Sequence, residues 1–72
     1  MVTPEQVKSY IEEGLAGASA EVEGDGRHFQ AVIICPDFEG KSTLEQHRMV
    51  YAALGERMEE EIHALSMRTS AS

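Results

Sequence analysis

Val7, Ile11 and Leu15 recur at four-residue intervals, with Tyr10 a turn from Val7 and with Lys8, Glu12 and Glu13 turned the other way, so an amphipathic helix is predicted. Its start is written in Thr3-Pro4-Glu5-Gln6: Thr3 can cap, Pro4 suits the first helical position, and Gln6 completes a capping box. Gly14 and Gly17 end it. The period then changes. Ala20-Glu21-Val22-Glu23 alternates like a short half-exposed strand, Gly24-Asp25-Gly26 signals a turn, and His28-Phe29-Gln30 opens the next strand, which together predict a hairpin with a tight or bulged loop. From Phe29 to Cys35 the chain is almost continuously apolar and β-branched, as suits a central strand covered by helices on one face, and Pro36 stops it.

Residues 37–41 form a connector, and Ser42-Thr43-Leu44-Glu45 is a second capping box that opens a longer helical stretch. Leu44, His47, Val50, Tyr51, Leu54 and Met58 trace its expected inner stripe. Gly55 lies inside that stretch at a cost of about 1 kcal/mol relative to Ala, so a break or kink is expected there, giving one long helix or two abutting ones. Residues 62–69 alternate with period two, placing His63, Leu65 and Met67 on one face and Ala64, Ser66 and Arg68 on the other, and residues 69–72 read as a frayed tail. The order is α-β-β-α-(α)-β. An α+β domain spanning residues 1–72 is expected, its three-stranded sheet carrying helices packed on one face. The link between strands two and three contains a helix, so these strands either pair in parallel or flank the first, and the pattern leaves both open.

Composition narrows the functional classes. A chain of 72 residues supports one core and no deep cleft. Thirteen acidic against six basic side chains give a net charge of −7, which repels nucleic acid and anionic membranes. Cys35 is the single cysteine, so no internal disulfide is expected and a cytoplasmic location fits. The first residues lack the layout of a secretion signal, and no apolar run approaches the roughly 18 residues of a membrane span.

Candidate chemistry centres on the histidines. No nucleophile elbow or Cys-His signature is present, so no enzymatic activity is expected, and Cys35, ending an apolar strand before a proline, reads as a buried inert thiol. His28, His47 and His63 match no closed metal-site spacing. His47 falls on a helix stripe and reads as structural. His28 and His63 each begin a strand, and if these share one end of the sheet the chain can supply one or two ligands to a metal centre completed by another molecule. Gly14-Leu15-Ala16-Gly17 formally matches a phosphate-gripping Gly-x-x-Gly, yet it lacks Lys or Arg and its Leu15 is needed in the core. Lys41, His47 and Arg48 form a small basic spot near a helix start, and they are the candidate contacts in the alternative reading of a nucleic-acid-binding regulator. Glu59-Glu60-Glu61 reads as a solvated helix face.

The chain resembles the BolA family over almost its whole length. The matching pieces are Gly26-Arg27-His28-Phe29, Phe38-Glu39-Gly40, Gln46-His47-Arg48-Met49-Val50-Tyr51 and Ile62-His63-Ala64-Leu65-Ser66, in the family's order and spacing. The compact Gly24-Asp25-Gly26 loop looks like that of the short-loop bacterial subgroup. The resemblance implies a fold similar to the class II KH domain, α-β-β-α-α-β. It also implies a monothiol glutaredoxin as partner and a bridging [2Fe-2S] cluster held with it and with glutathione, none being expected in the isolated protein. By the same resemblance His63 is one ligand and His28 stands at the second ligand position, a role not carried to Cys35. The free protein is expected to be a monomer or weak homodimer. Many relatives continue through a Pro-x-Glu-Trp-like segment into a final helix, whereas this sequence ends at Ser72 without tryptophan, so no contact of that segment is carried over.

Overall fold

The computed structural model describes residues 2–60, 62 and 64–72, with Glu59 through its backbone. Both capping boxes form. Thr3 accepts from the Gln6 N–H while the Gln6 side chain accepts from the Thr3 N–H, and α1 runs Pro4–Gly14 with Val7 and Ile11 buried. Ser42 and Glu45 make the same reciprocal pair at the head of α2, Thr43–Leu54. Gly55 ends α2 at a φ of 57°, a left-handed conformation that favours glycine, and α3, Arg57–Glu60, follows as a separate turn. Of the two arrangements left open, the abutting helices are the one adopted. Arg57 stacks its guanidinium 4.1 Å above the Tyr10 ring, tying α3 to α1.

Strands β1, Ser19–Gly24, and β2, His28–Ile34, pair antiparallel from Ser19 opposite Ile34 to Gly24 opposite Phe29. β3, Ala64–Ser70, lies parallel to β2 in the register His28 to Ala64 through Ile34 to Ser70. The order β1-β2-β3 puts the most apolar strand in the middle and resolves the open pairing in favour of parallel neighbours. Helices cover one face only. Phe29, Ala31 and Ile33 point into it and are buried, whereas Val32, 49% exposed, and Ile34 lie on the open face. The apolar run therefore divides by parity between core and solvent.

Three details differ from expectation. Leu44 and Tyr51, placed on the inner stripe of α2 by their spacing, are 61% and 41% exposed. The helix instead turns inward through Gln46, Met49, Val50, Ala53 and Leu54, with His47 half-buried at the boundary. Gln46 fills a polar place in that inner row, because its Oε1 accepts from the Thr69 hydroxyl at 2.6 Å and its Nε2 donates to the Lys41 and Phe38 carbonyls. The connector after β2 contains a 3₁₀ turn, Pro36–Phe38, that buries Phe38 in the core. The third difference is at the C-terminus: Thr69 and Ser70, read as part of a frayed tail, belong to β3, and the Ser70 carbonyl accepts the Cys35 N–H at 3.0 Å. Among the described residues no helix is long and apolar enough to cross a membrane.

Candidate metal centre

The β1–β2 connection is built around one carboxylate. Asp25 Oδ1 accepts the backbone N–H groups of Arg27 and His28, each at 2.9 Å, and the Asp25 N–H donates to the His28 carbonyl at 3.3 Å. Gly26, at a φ of 100°, supplies the conformation that lets the chain turn back. The N–H groups of His28 and then Arg27 hold the Asp25 carboxyl below its ordinary value of 3.8, so it stays ionised at neutral pH. Gly24 is opposite Phe29, where a Cβ would lie 2.5 Å from the His28 carbonyl oxygen and 2.6 Å from the Phe29 ring. The turn can close this tightly because that position carries no side chain.

His28 stands at the head of β2 with 76% of its side chain exposed and its Nδ1 4.0 Å from Asp25 Oδ2. Parallel pairing brings the heads of β2 and β3 together: His28 is opposite Ala64, and the Ala64 N–H donates to the Arg27 carbonyl at 3.1 Å. The other expected ligand, His63, lies outside the described residues. Cys35 follows the opposite end of β2, fully buried, with its thiol donating to the Ala16 carbonyl at 3.7 Å. This is the buried position expected of it.

Among the described residues no group of three or more His, Cys, Asp or Glu side chains is arranged to hold an ion. One solvent-facing imidazole on a braced hairpin does fit a centre whose remaining ligands come from another molecule. It does not fit a closed site of the tetrahedral kind. Asp25 was not singled out by sequence pattern as part of this place. A signal existed: an Asp between two glycines, three positions before a strand-opening His, has the spacing of a carboxylate that caps the backbone amides after it.

The basic spot has a different character. Lys41 and Arg48 are exposed and His47 half-buried, all at or near the first turns of α2. Glu45 stands among them. Its carboxyl is held below its ordinary value of 4.5, first by the Ser42 backbone N–H and hydroxyl and then by the charges of Lys41 and Arg48. Part of the positive field is therefore offset on the spot.

The family model described as BolA-like protein matches residues 7–72. Protein BOLA2 of Arabidopsis thaliana is 46% identical over 72 residues, covering 94% of this chain and 76% of that protein. The DNA-binding transcriptional regulator BolA of Escherichia coli (strain K12) is 37% identical over 46 residues, 64% of this chain and 44% of the relative. A solved structure of a BolA protein homologue from Coxiella burnetii superposes with a TM-score of 0.91 at 51% identity, covering 96% of this chain and 90% of that one.

Proposed function

The chain belongs to the BolA-like family, and from that premise we propose that it is a non-enzymatic adaptor that binds a monothiol glutaredoxin and shares a [2Fe-2S] cluster with it. Its work is then iron-sulfur cluster assembly and trafficking, or iron regulation, in the cytoplasm, with the free protein a monomer or weak homodimer. The observation that carries this reading is the exposed imidazole of His28 at the paired heads of β2 and β3, in a chain whose described residues contain no complete ligand set. A cluster of this kind needs four ligands. The partner's cysteine and a glutathione thiol supply the thiolates, and this chain supplies His63, proposed on its sequence match, and His28. An imidazole in place of thiolate raises the cluster potential and adds a protonatable ligand, which suits a cluster that is to be handed on.

Anaerobic coexpression with a monothiol glutaredoxin tests the proposal. The expected product is a coloured heterodimer whose visible spectrum and cluster lifetime change in His63→Ala and in His28→Ala. Failure to form the heterodimer rules out the partnership, and spectra identical to wild type in both variants rule out the ligand assignment.

A second reading is favoured by the Escherichia coli relative, which is named as a DNA-binding transcriptional regulator. Here Lys41, Arg48 and His47 would meet phosphate. Two or three such contacts give a salt slope of only about −2 to −3 on duplex DNA, set against a net charge of −7. Binding that is absent even at low salt removes this reading, and a slope in that range that flattens in Lys41→Ala and Arg48→Ala sustains it.

A further inference from the structure

Asp25 uses one oxygen to build the hairpin and has one left over. An aspartate turn of this kind needs a single acceptor for the amides that follow it, and Oδ1 meets that need through Arg27 and His28. Oδ2 is the spare oxygen, and it faces the imidazole, 4.0 Å from Nδ1. That separation exceeds a direct hydrogen bond and is one that a bridging water or a small side-chain rotation closes. Among the described residues no other carboxylate lies within ion-pair distance of the His28 ring. The backbone on both sides of the ring is anchored, since the Arg27 carbonyl accepts from Ala64 of β3 and the His28 N–H is held by Asp25 itself.

We propose that Asp25 is a positioning residue for His28, turning the Nδ1–H of the neutral imidazole toward its carboxylate and leaving Nε2 outward as the free donor atom. The proposal rests on the reading of His28 as a ligand lent to a partner-completed centre. A neutral imidazole binds a metal through one nitrogen, and the hydrogen bond made by the other decides which nitrogen that is. In this chain the deciding acceptor sits in the same three-residue turn that aims the histidine. One side chain thus sets both where the ring starts and which atom it offers.

Two substitutions separate these roles. Asp25→Asn keeps an oxygen to accept the Arg27 and His28 amides but removes the anionic oxygen facing Nδ1, whereas Asp25→Ala removes both. The measurement is long-range 1H–15N correlation of the His28 ring in the free chain, without metal or partner, at a pH high enough that the ring nitrogen shifts no longer change with pH. In wild type the Nδ1–H tautomer is expected to be enriched over Asp25→Asn by roughly two- to five-fold, the range that an exposed charge contact yields. The backbone amide shifts of Arg27 and His28 are expected to stay near wild type in Asp25→Asn and to move in Asp25→Ala. Equal tautomer ratios in wild type and Asp25→Asn, with those amides unmoved, overturn the proposal. The readout needs no cluster, so a failure of His28 as a ligand is seen separately, as an unchanged spectrum of the glutaredoxin complex in His28→Ala.

Discussion

Glu12 joins two elements through one oxygen: its Oε2 accepts from Lys8 Nζ at 2.6 Å and from the Ala20 backbone N–H at 3.0 Å, while Lys8 also donates to the Ala20 carbonyl at 2.8 Å. The edge strand β1 is thereby tied to α1 by a small polar knot. The Lys8 ammonium first, and the Ala20 N–H second, hold the Glu12 carboxyl below its ordinary value of 4.5. A carboxyl whose folded pKa is depressed contributes stability that is complete above the unfolded value and is lost as pH falls through the folded one. The two side chains are 46% and 33% exposed, and solvent-screened pairs at this helical spacing are worth only about 0.3–0.5 kcal/mol. Glu12→Gln is therefore expected to lower the urea midpoint slightly at pH 7, and the gap to wild type is expected to close as the pH drops below 4.5. Urea titrations of both proteins across that range check it, and a gap that stays constant down to pH 3 contradicts the assignment. Asp25 shows the same economy at the hairpin, where one carboxylate takes the amides of two residues.

Between helices the deciding contact is the absence of a side chain. A Cβ at Gly14 would sit 2.6 Å from the Ala53 Cβ and 2.9 Å from the Ala53 backbone, so α1 and α2 cross at a glycine-alanine contact. Gly14→Ala should gain about 1 kcal/mol in helix propensity, but overpacking against a backbone that cannot swing aside costs about 1–3 kcal/mol. The expected outcome is net destabilisation, read as a lower thermal midpoint, and a raised midpoint would show that the helices do not approach this closely. The α2 stripe gives a second contrast: Leu54→Ala is expected to cost about 2–5 kcal/mol, while Leu44→Ala, at a site 61% exposed, should leave the urea midpoint within about 0.5 kcal/mol of wild type. Elements with local chemical signals were legible from the sequence. Thr3 and Ser42 announced both helix starts, Gly55 the break and Gly24-Asp25-Gly26 the turn. The inner face of α2 was not legible, because Leu44 and Tyr51 continue an apolar spacing that the helix does not bury, while polar Gln46 turns inward to meet Thr69 and two loop carbonyls. Strand order was hidden for a related reason, since the partner of β2 is chosen by a crossover and not by any residue within β2.

At the scale of the molecule, the sheet separates two jobs along its central strand. One end of β2 passes into Cys35 and Phe38, both buried in the core, and the other begins with His28 in solvent beside the head of β3. The thiol that iron chemistry would favour is thus shut away, and among the described residues the His28 imidazole belongs to no group of three or more ligating side chains. For this reason the isolated protein is expected to take up no cluster. Anaerobic treatment with ferrous iron and sulfide, followed by desalting, should leave it colourless, and Cys35→Ala should behave identically. Adding a monothiol glutaredoxin and glutathione should produce the chromophore, and linkage then adds a rise in thermal midpoint, about 2.7 kcal/mol of stabilisation at a partner concentration 100 times Kd. Absorbance after desalting and calorimetry with and without the partner measure both. A stable chromophore on the isolated chain, above all one abolished by Cys35→Ala, would mean that the core opens to metal and that the centre is not shared.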